Sequence, residues 1–258
     1  NITAIELDLI IKNNTALPTT SGLNKLRSVG EDFRIEKNTM LLRIEGFDSL
    51  KTVGKSVEFV DNTGLSSISG LKTLNYVGSI FRICCNPSLT EIDELSNLVT
   101  IAEGVQISDN ESLETLDNFT ALSTSKEIVI SDNNKLIRLG GFQNLAKITG
   151  RLWIYYNVSL KSLDGLEFIS NVEDLYIRYN DSLQSIEGIG PLMNIDGDLT
   201  IRDNNILSDC AVKSICEYLS NPNGTIDIRD NKSGCNTVAQ VENTCLVGTN
   251  EVIKSEGF

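Results

Sequence analysis

Histidine is absent from this sequence of 258 residues. Without an imidazole, serine and cysteine triads of the usual kind and imidazole-ligated zinc are excluded. Positive charge is scarce: 22 Lys and Arg face 35 Asp and Glu, a net charge of −13. Such a chain is repelled by phosphate backbones, so nucleic acid is not an expected partner. No run of about 18 apolar residues occurs, so no membrane insertion is expected. The chain starts at Asn1 with neither Met nor a signal-peptide core, as a processed or trimmed chain would. Aromatic residues are few (8 Phe, 6 Tyr and 1 Trp), so their placement carries information.

A repeat fills the chain instead. Segments such as FRIEKNTML, VQISDNESL, LWIYYNVSL and LTIRDNNIL share the form apolar-x-apolar-x-x-Asn. The asparagines are Asn14, Asn38, Asn62, Asn86, Asn110, Asn133, Asn157, Asn180, Asn204 and Asn231, with a mean step of about 24 residues. Most units continue as L-x-x-I-x-G-[LF]-x-x-L-x-x-[IV], as in Leu160, Leu163, Gly165, Leu166, Ile169 and Val172. The apolar-x-apolar step has period two, so each unit contains a short strand with two inward side chains. The Asn follows where the chain must turn. Its amide donates and accepts, so stacked Asn side chains can satisfy turn backbone groups and one another. One coil cannot close so thin a core, and its neighbours must stack upon it. We expect a mainly β, parallel solenoid of about ten coils, roughly 50 Å long, with strands on more than one side.

The solenoid should span 1–207, with a C-terminal cap over 208–258 as part of one continuous unit. Ser208-Asp209 offers a helix start before Ala211–Leu219, a last strand is expected at Thr225–Ile228, and a second short helix at Thr237–Asn243. Four cysteines fall here: Cys210, Cys216, Cys235 and Cys245. Two disulfides and an oxidising compartment follow from an even, clustered set on a terminal cap. Three connectivities are open. The preferred one joins Cys210 to Cys235 and Cys216 to Cys245, because each bond would tie the first helix to the segment after the last strand. The absence of CxxC pairs argues against a four-thiolate zinc, so no metal and no cofactor are expected. Cys84 and Cys85 are adjacent after one strand; the expectation is two reduced or exposed thiols, with a vicinal disulfide as the alternative.

These coils resemble the leucine-rich, receptor L-domain-like repeats of secreted Bacteroidetes proteins, over roughly residues 5–207. The stretch LSDCAVKSICEYLSNPNGTIDIRDNKSGCNTVAQVENTC is similar to the cysteine cap that closes many of those arrays. The resemblance implies a right-handed solenoid, secreted or at the cell surface (outer-membrane-associated), that binds or adheres. It often carries a C-terminal sorting domain, which is not visible before Phe258. It transfers no ligand and no catalytic residue.

Register assigns the outward positions. Trp153, Tyr155, Tyr156, Tyr176 and Tyr179 all point outward on two adjacent coils, bordered by Arg178 and Arg202. Packing does not require rings there, because Leu152, Ile154, Leu175 and Ile177 already point inward. Exposed rings with arginine have the composition of a binding hot spot. These seven residues are the candidate ligand site, for an extracellular protein or glycan; a cross-strand ladder that only stabilises the sheet is the competing explanation. Asp109, Asp132, Asp203 and Asp230 share one column and read as a solvated acidic edge, with weak calcium binding as the alternative. The sequons at Asn110, Asn157, Asn180 and Asn231 coincide with the ladder and read as by-products of the repeat; those at Asn1, Asn13, Asn118 and Asn223 do not. The expected function is non-catalytic recognition. The alternatives are a β-helical carbohydrate-active enzyme, which would need an acid and a base at set positions, and a structural spacer.

Overall fold

A computed structural model describes residues 2–255, with side chains placed through Val247. Asn1, and with it the first sequon, and Phe258 lie outside the described residues. Ten strands form one parallel sheet: β1 (Leu9–Lys12), β2 (Phe33–Glu36), β3 (Val57–Val60), β4 (Ile80–Cys84), β5 (Gly104–Ser108), β6 (Glu127–Ser131), β7 (Leu152–Tyr155), β8 (Leu175–Arg178), β9 (Leu199–Arg202) and β10 (Ile226–Arg229). Their order in the sheet is their order in the chain, so the path is a solenoid with nine turns between β1 and β10. Two-residue strands such as Thr52–Val53, Tyr76–Val77 and Thr100–Ile101 form a second parallel sheet, and Arg43–Ile44, Ser67–Ile68 and Glu91–Ile92 a third. The expected parallel β solenoid is the observed fold.

Alternation sets the register. In β7 the burial runs buried, half-buried, buried, half-buried, and β2, β3, β8 and β9 repeat it. A slip of one residue would turn the apolar set outward, so the strands stay in step. The Asn ladder then takes the turn. The Asn86 N–H donates to Asn110 Oδ1 at 3.3 Å, and Asn86 Nδ2 donates to the carbonyls of Phe59 at 3.0 Å and Cys84 at 2.9 Å. The same N–H to Oδ1 bond links Asn14 to Asn38 and continues without a break to Asn204 and Asn231. From Asn38 to Asn204 these side chains are fully buried. Burial of an amide is tolerable only with every partner supplied, which the stack does.

The residue before each ladder Asn lies in the left-handed region, from Asn13 at φ 59° through Lys37, Asp61, Cys85, Asp109, Asp132, Tyr156, Tyr179 and Asp203 to Asp230 at 55°. Asn and Asp tolerate that backbone; Lys, Cys and Tyr do so at a cost of roughly 1–2 kcal/mol. A second left-handed position falls at Gly70 (φ 74°), where a Cβ would sit 2.8 Å from the Gly46 nitrogen. One coil later Glu94 holds this place at φ 61°, and its Oε2 accepts the Gly70 N–H at 2.7 Å.

The interior carries a phenylalanine column. Phe33 lies 4.7 Å from Phe47 and 5.4 Å from Phe59, and the chain of rings continues through Phe81 and Phe119 to Phe142. Beyond Phe142 the same space is filled by Leu152, Leu166, Leu175 and Ile189.

At the C-terminus β10 continues the main sheet beside β9, and α1 (Lys213–Ser220) and α2 (Val238–Ser255) close the end. The Tyr218 hydroxyl donates to the Gly197 carbonyl at 2.5 Å and accepts the Gly224 N–H at 3.0 Å, which fixes α1 to the last turns. Boundaries differ slightly from expectation. The first helix begins two residues later than expected. Asp209 accepts the Ala211 N–H at 2.9 Å, which makes a turn before the helix instead of capping it. The last strand sits one residue further on, and α2 runs well past Asn243. Thr237 Oγ1 accepts the Gln240 N–H at 3.3 Å and starts α2. Disulfides join Cys210 to Cys235 and Cys216 to Cys245, the preferred pairing, so each cystine ties the α1 segment to chain beyond β10.

Cys84 and Cys85 depart from expectation. Cys84 is buried and the two are joined in a disulfide. Cys85 lies in the left-handed region at φ 63°, so the chain folds back immediately after Cys84, and both side chains meet at the same corner. Their sulfurs lie near Asp109, with Cys84 Sγ 3.8 Å from its Oδ2; in a cystine neither sulfur is a thiolate, the form a metal would need.

Candidate functional site

The outward aromatic residues come together. Trp153 and Tyr155 stand on β7, and Tyr176 and Arg178 stand opposite them on β8 in register. Tyr156 and Tyr179 occupy the left-handed positions that follow, which aim them along the same edge. The Tyr156 and Tyr179 rings are parallel at 4.4 Å. Trp153 tilts against Tyr176 at 5.4 Å, and Tyr155 meets Tyr176 and Tyr156 edge to face at 6.0 and 5.9 Å. Pairs of this geometry contribute about 0.5–1.5 kcal/mol each beyond burial. The rings therefore form one pre-packed cluster. Only Tyr156, at 38%, is exposed outright; the other four are half-buried against their neighbours.

Two guanidiniums belong to it. Arg178 lies over Tyr176 at 4.8 Å, Tyr179 at 5.0 Å and Tyr156 at 5.9 Å. Arg151 lies 4.4 Å over Trp153 and donates to Glu127 at 2.7 Å. Arg151 was not among the candidates, although its separation of two from Trp153 places both on one face. Arg202 is adjacent to Arg178 in register but is drawn toward Asp227 at 3.3 Å and Asp203 at 3.6 Å. No ring lies beneath it among the described residues.

The acids sort by position. Asp203 and Asp230 lie against Arg202 and Arg229, the latter at 2.7 Å. Asp109 and Asp132 have no such partner among the described residues. Burial, with the charge of Asp109 added and a hydrogen bond to Ser131 opposing, raises the Asp132 carboxyl above its ordinary range. The charge of Asp203, with burial and Tyr156, raises the Tyr179 hydroxyl. Glu127 is held by Arg151 and by Gln106 at 2.8 Å.

Compared with known proteins, the chain matches no family model, no curated protein and no solved structure. Among the described residues no helix is long and apolar enough to cross a membrane.

Proposed function

We propose that this chain is a secreted or cell-surface recognition module, without catalysis, of the leucine-rich, receptor L-domain-like kind. The repeat period and the cysteine cap support that relationship, and two cap disulfides fit an oxidising compartment. One observation carries the binding reading. Five aromatic side chains and Arg178 form a packed cluster on the outside of β7 and β8, in coils whose interior is complete without them. Rings held in place by one another lose little freedom on binding, which favours affinity. The face suits a glycan or an extracellular protein.

The test is the double variant Trp153→Ala with Tyr176→Ala, screened beside the native chain on glycan and protein arrays. Loss of the native chain's hits is expected. Unchanged binding by the double variant would show that the face is a stabilising ladder. Asp132 bears on the second reading, a carbohydrate-active enzyme, because it is a half-buried carboxyl without an arginine partner among the described residues, one coil from Tyr156, where an acid or base could act. Turnover of neutral or acidic polysaccharides that disappears in Asp132→Asn would establish it.

A further inference from the structure

The aromatic face holds one charge that the fold leaves unmatched. Arg34 has an ion pair with Asp32 and lies 3.5 Å from Glu58. Arg202 and Arg229 share Asp227, at 3.3 and 2.8 Å, and each has a second aspartate. Arg178 alone of these has no ion pair among the described residues; its Nε, like those of Arg34 and Arg202, is buried without a hydrogen-bond partner. Arg82 is also without an ion pair, but Glu58 is its neighbour in register and no ring lies against it among the described residues. The reason for the isolation of Arg178 is local. Where Arg229 has Asp227 two residues before and Asp230 one after, Arg178 has Tyr176 and Tyr179. Its neighbours across the sheet are Tyr155 and Arg202.

We propose that Arg178 is the anion-recognising residue of this face, and that the ligand is a glycan presenting a single carboxylated sugar. This rests on the reading of the face as a binding site. A guanidinium offers donors in a planar fork that matches a carboxylate in two-point fashion. Rings on several sides thin the water around it, which strengthens the ion pair. Tyr155, Tyr156, Tyr176 and Tyr179 belong to the same cluster, and a tyrosine hydroxyl both donates and accepts, as sugar hydroxyls require. The charge of the ligand is limited by what flanks the site. Asp109 and Asp132 occupy the column on the Tyr156 side, and Asp203, Asp227 and Asp230 lie on the other. A polyanion or an acidic peptide would run into one group or the other, whereas a lone carboxylate would not.

Calorimetric titration tests this with oligosaccharides ending in N-acetylneuraminate, glucuronate or galacturonate, each beside its neutral counterpart. A short peptide with a free C-terminus, beside its amide, covers the rival single carboxylate. The native chain should prefer at least one acidic sugar over its neutral partner by about tenfold, as a charge-assisted bond provides. Arg178→Gln should reduce that preference to within about twofold, and Arg178→Lys, which keeps the charge without the fork, should hold part of it. Thermal melting of both variants checks that the coil is intact. An equal affinity for acid and neutral sugars, a preference that survives Arg178→Gln, a preference confined to the peptide, or no binding by any probe would overturn the proposal. Neutral-sugar binding that Trp153→Ala with Tyr176→Ala abolishes and Arg178→Gln spares would overturn it while leaving the binding face intact. A ligand bound equally well by that double variant would remove the face itself.

Discussion

The aromatic residues change sides part-way along the solenoid. From β2 to the coil of β6, the exposed Tyr76 apart, they are phenylalanines in the interior, packed ring to ring from Phe33 to Phe142. On β7 and β8 they are tryptophan and tyrosine on the outside, over an interior of leucine and isoleucine. Both sets pack against themselves, yet they do different work. The inner rings fill volume that nothing else fills. The outer rings cover strands whose core is already closed, and each tyrosine brings a hydroxyl that packing does not use. A coil thus tolerates either kind of interior, and the face outside it is free to vary.

The sharpest way to break the comparison is to empty the inner column. Phe81 touches rings on both sides, at 6.3 Å to Phe59 and 5.8 Å to Phe119. Phe81→Ala should cost about 3–5 kcal/mol of stability, measured by denaturant unfolding, and leave ligand binding at the distant β7–β8 face unchanged. Next comes the ladder. Asn110→Ala removes the acceptor of the Asn86 N–H and the Nδ2 donor of the Ile83 carbonyl, while the Ser108 carbonyl keeps the Cys85 N–H. At about 1–3 kcal/mol for each of these two buried groups left unmet, a loss of roughly 2–6 kcal/mol is expected in the same measurement. Because Asn110 is buried and its amide is engaged, its sequon should also stay unmodified in a glycosylating host. Mass spectrometry reads that directly.

The ladder was legible in the sequence because a buried amide at a turn has few solutions, and ten of them at one spacing leave a single arrangement. The cap pairing was legible for a similar reason, since the segments flanking β10 must close one end. The phenylalanine column was not. Phe33 and Phe81 occupy the first inward strand position, Phe59 the second, and Phe47, Phe119 and Phe142 a corner, so they form no column until the coil is closed. The Cys84–Cys85 bond was legible only as the alternative, because period-two alternation reveals which face a residue takes but not that the next one turns left-handed. Register placed the candidate residues on one face, where the structure brings the rings and Arg178 together with Arg202 beside them. Its withdrawal toward Asp203 and Asp227 depends on which acids follow and oppose it, and the isolation of Arg178 is legible by the same test: RD at 202 and 229, RY at 178.

A smaller effect on stability, and a larger one on binding, is expected from the outer set. Trp153→Ala with Tyr176→Ala removes half-buried rings over a closed core and breaks the ring pairs at 5.4 and 6.0 Å. A loss of about 1–2 kcal/mol is expected, well under that of Phe81→Ala alone, together with loss of binding. A double variant as destabilised as Phe81→Ala would mean that the outer rings hold the coil as the inner ones do, and the contrast between the two regions would fall.

The smallest effect is expected where the outer face meets the acidic column. Asp132 sits half-buried at φ 57° beside Asp109, and its folded-state carboxyl is raised, chiefly by burial. Folding therefore favours the protonated form. The contribution is fully present at low pH and is lost as pH rises through the window between the ordinary aspartate value and the raised one. Asparagine tolerates the same left-handed backbone and carries no charge. Asp132→Asn should therefore melt slightly above the native chain at neutral pH, and the gap should close as the pH falls below the ordinary aspartate range. A gap that widened on acidification would place the carboxylate in a favourable pair, as the arginine-paired Asp203 and Asp230 are, and would erase the difference between the two ends of that column.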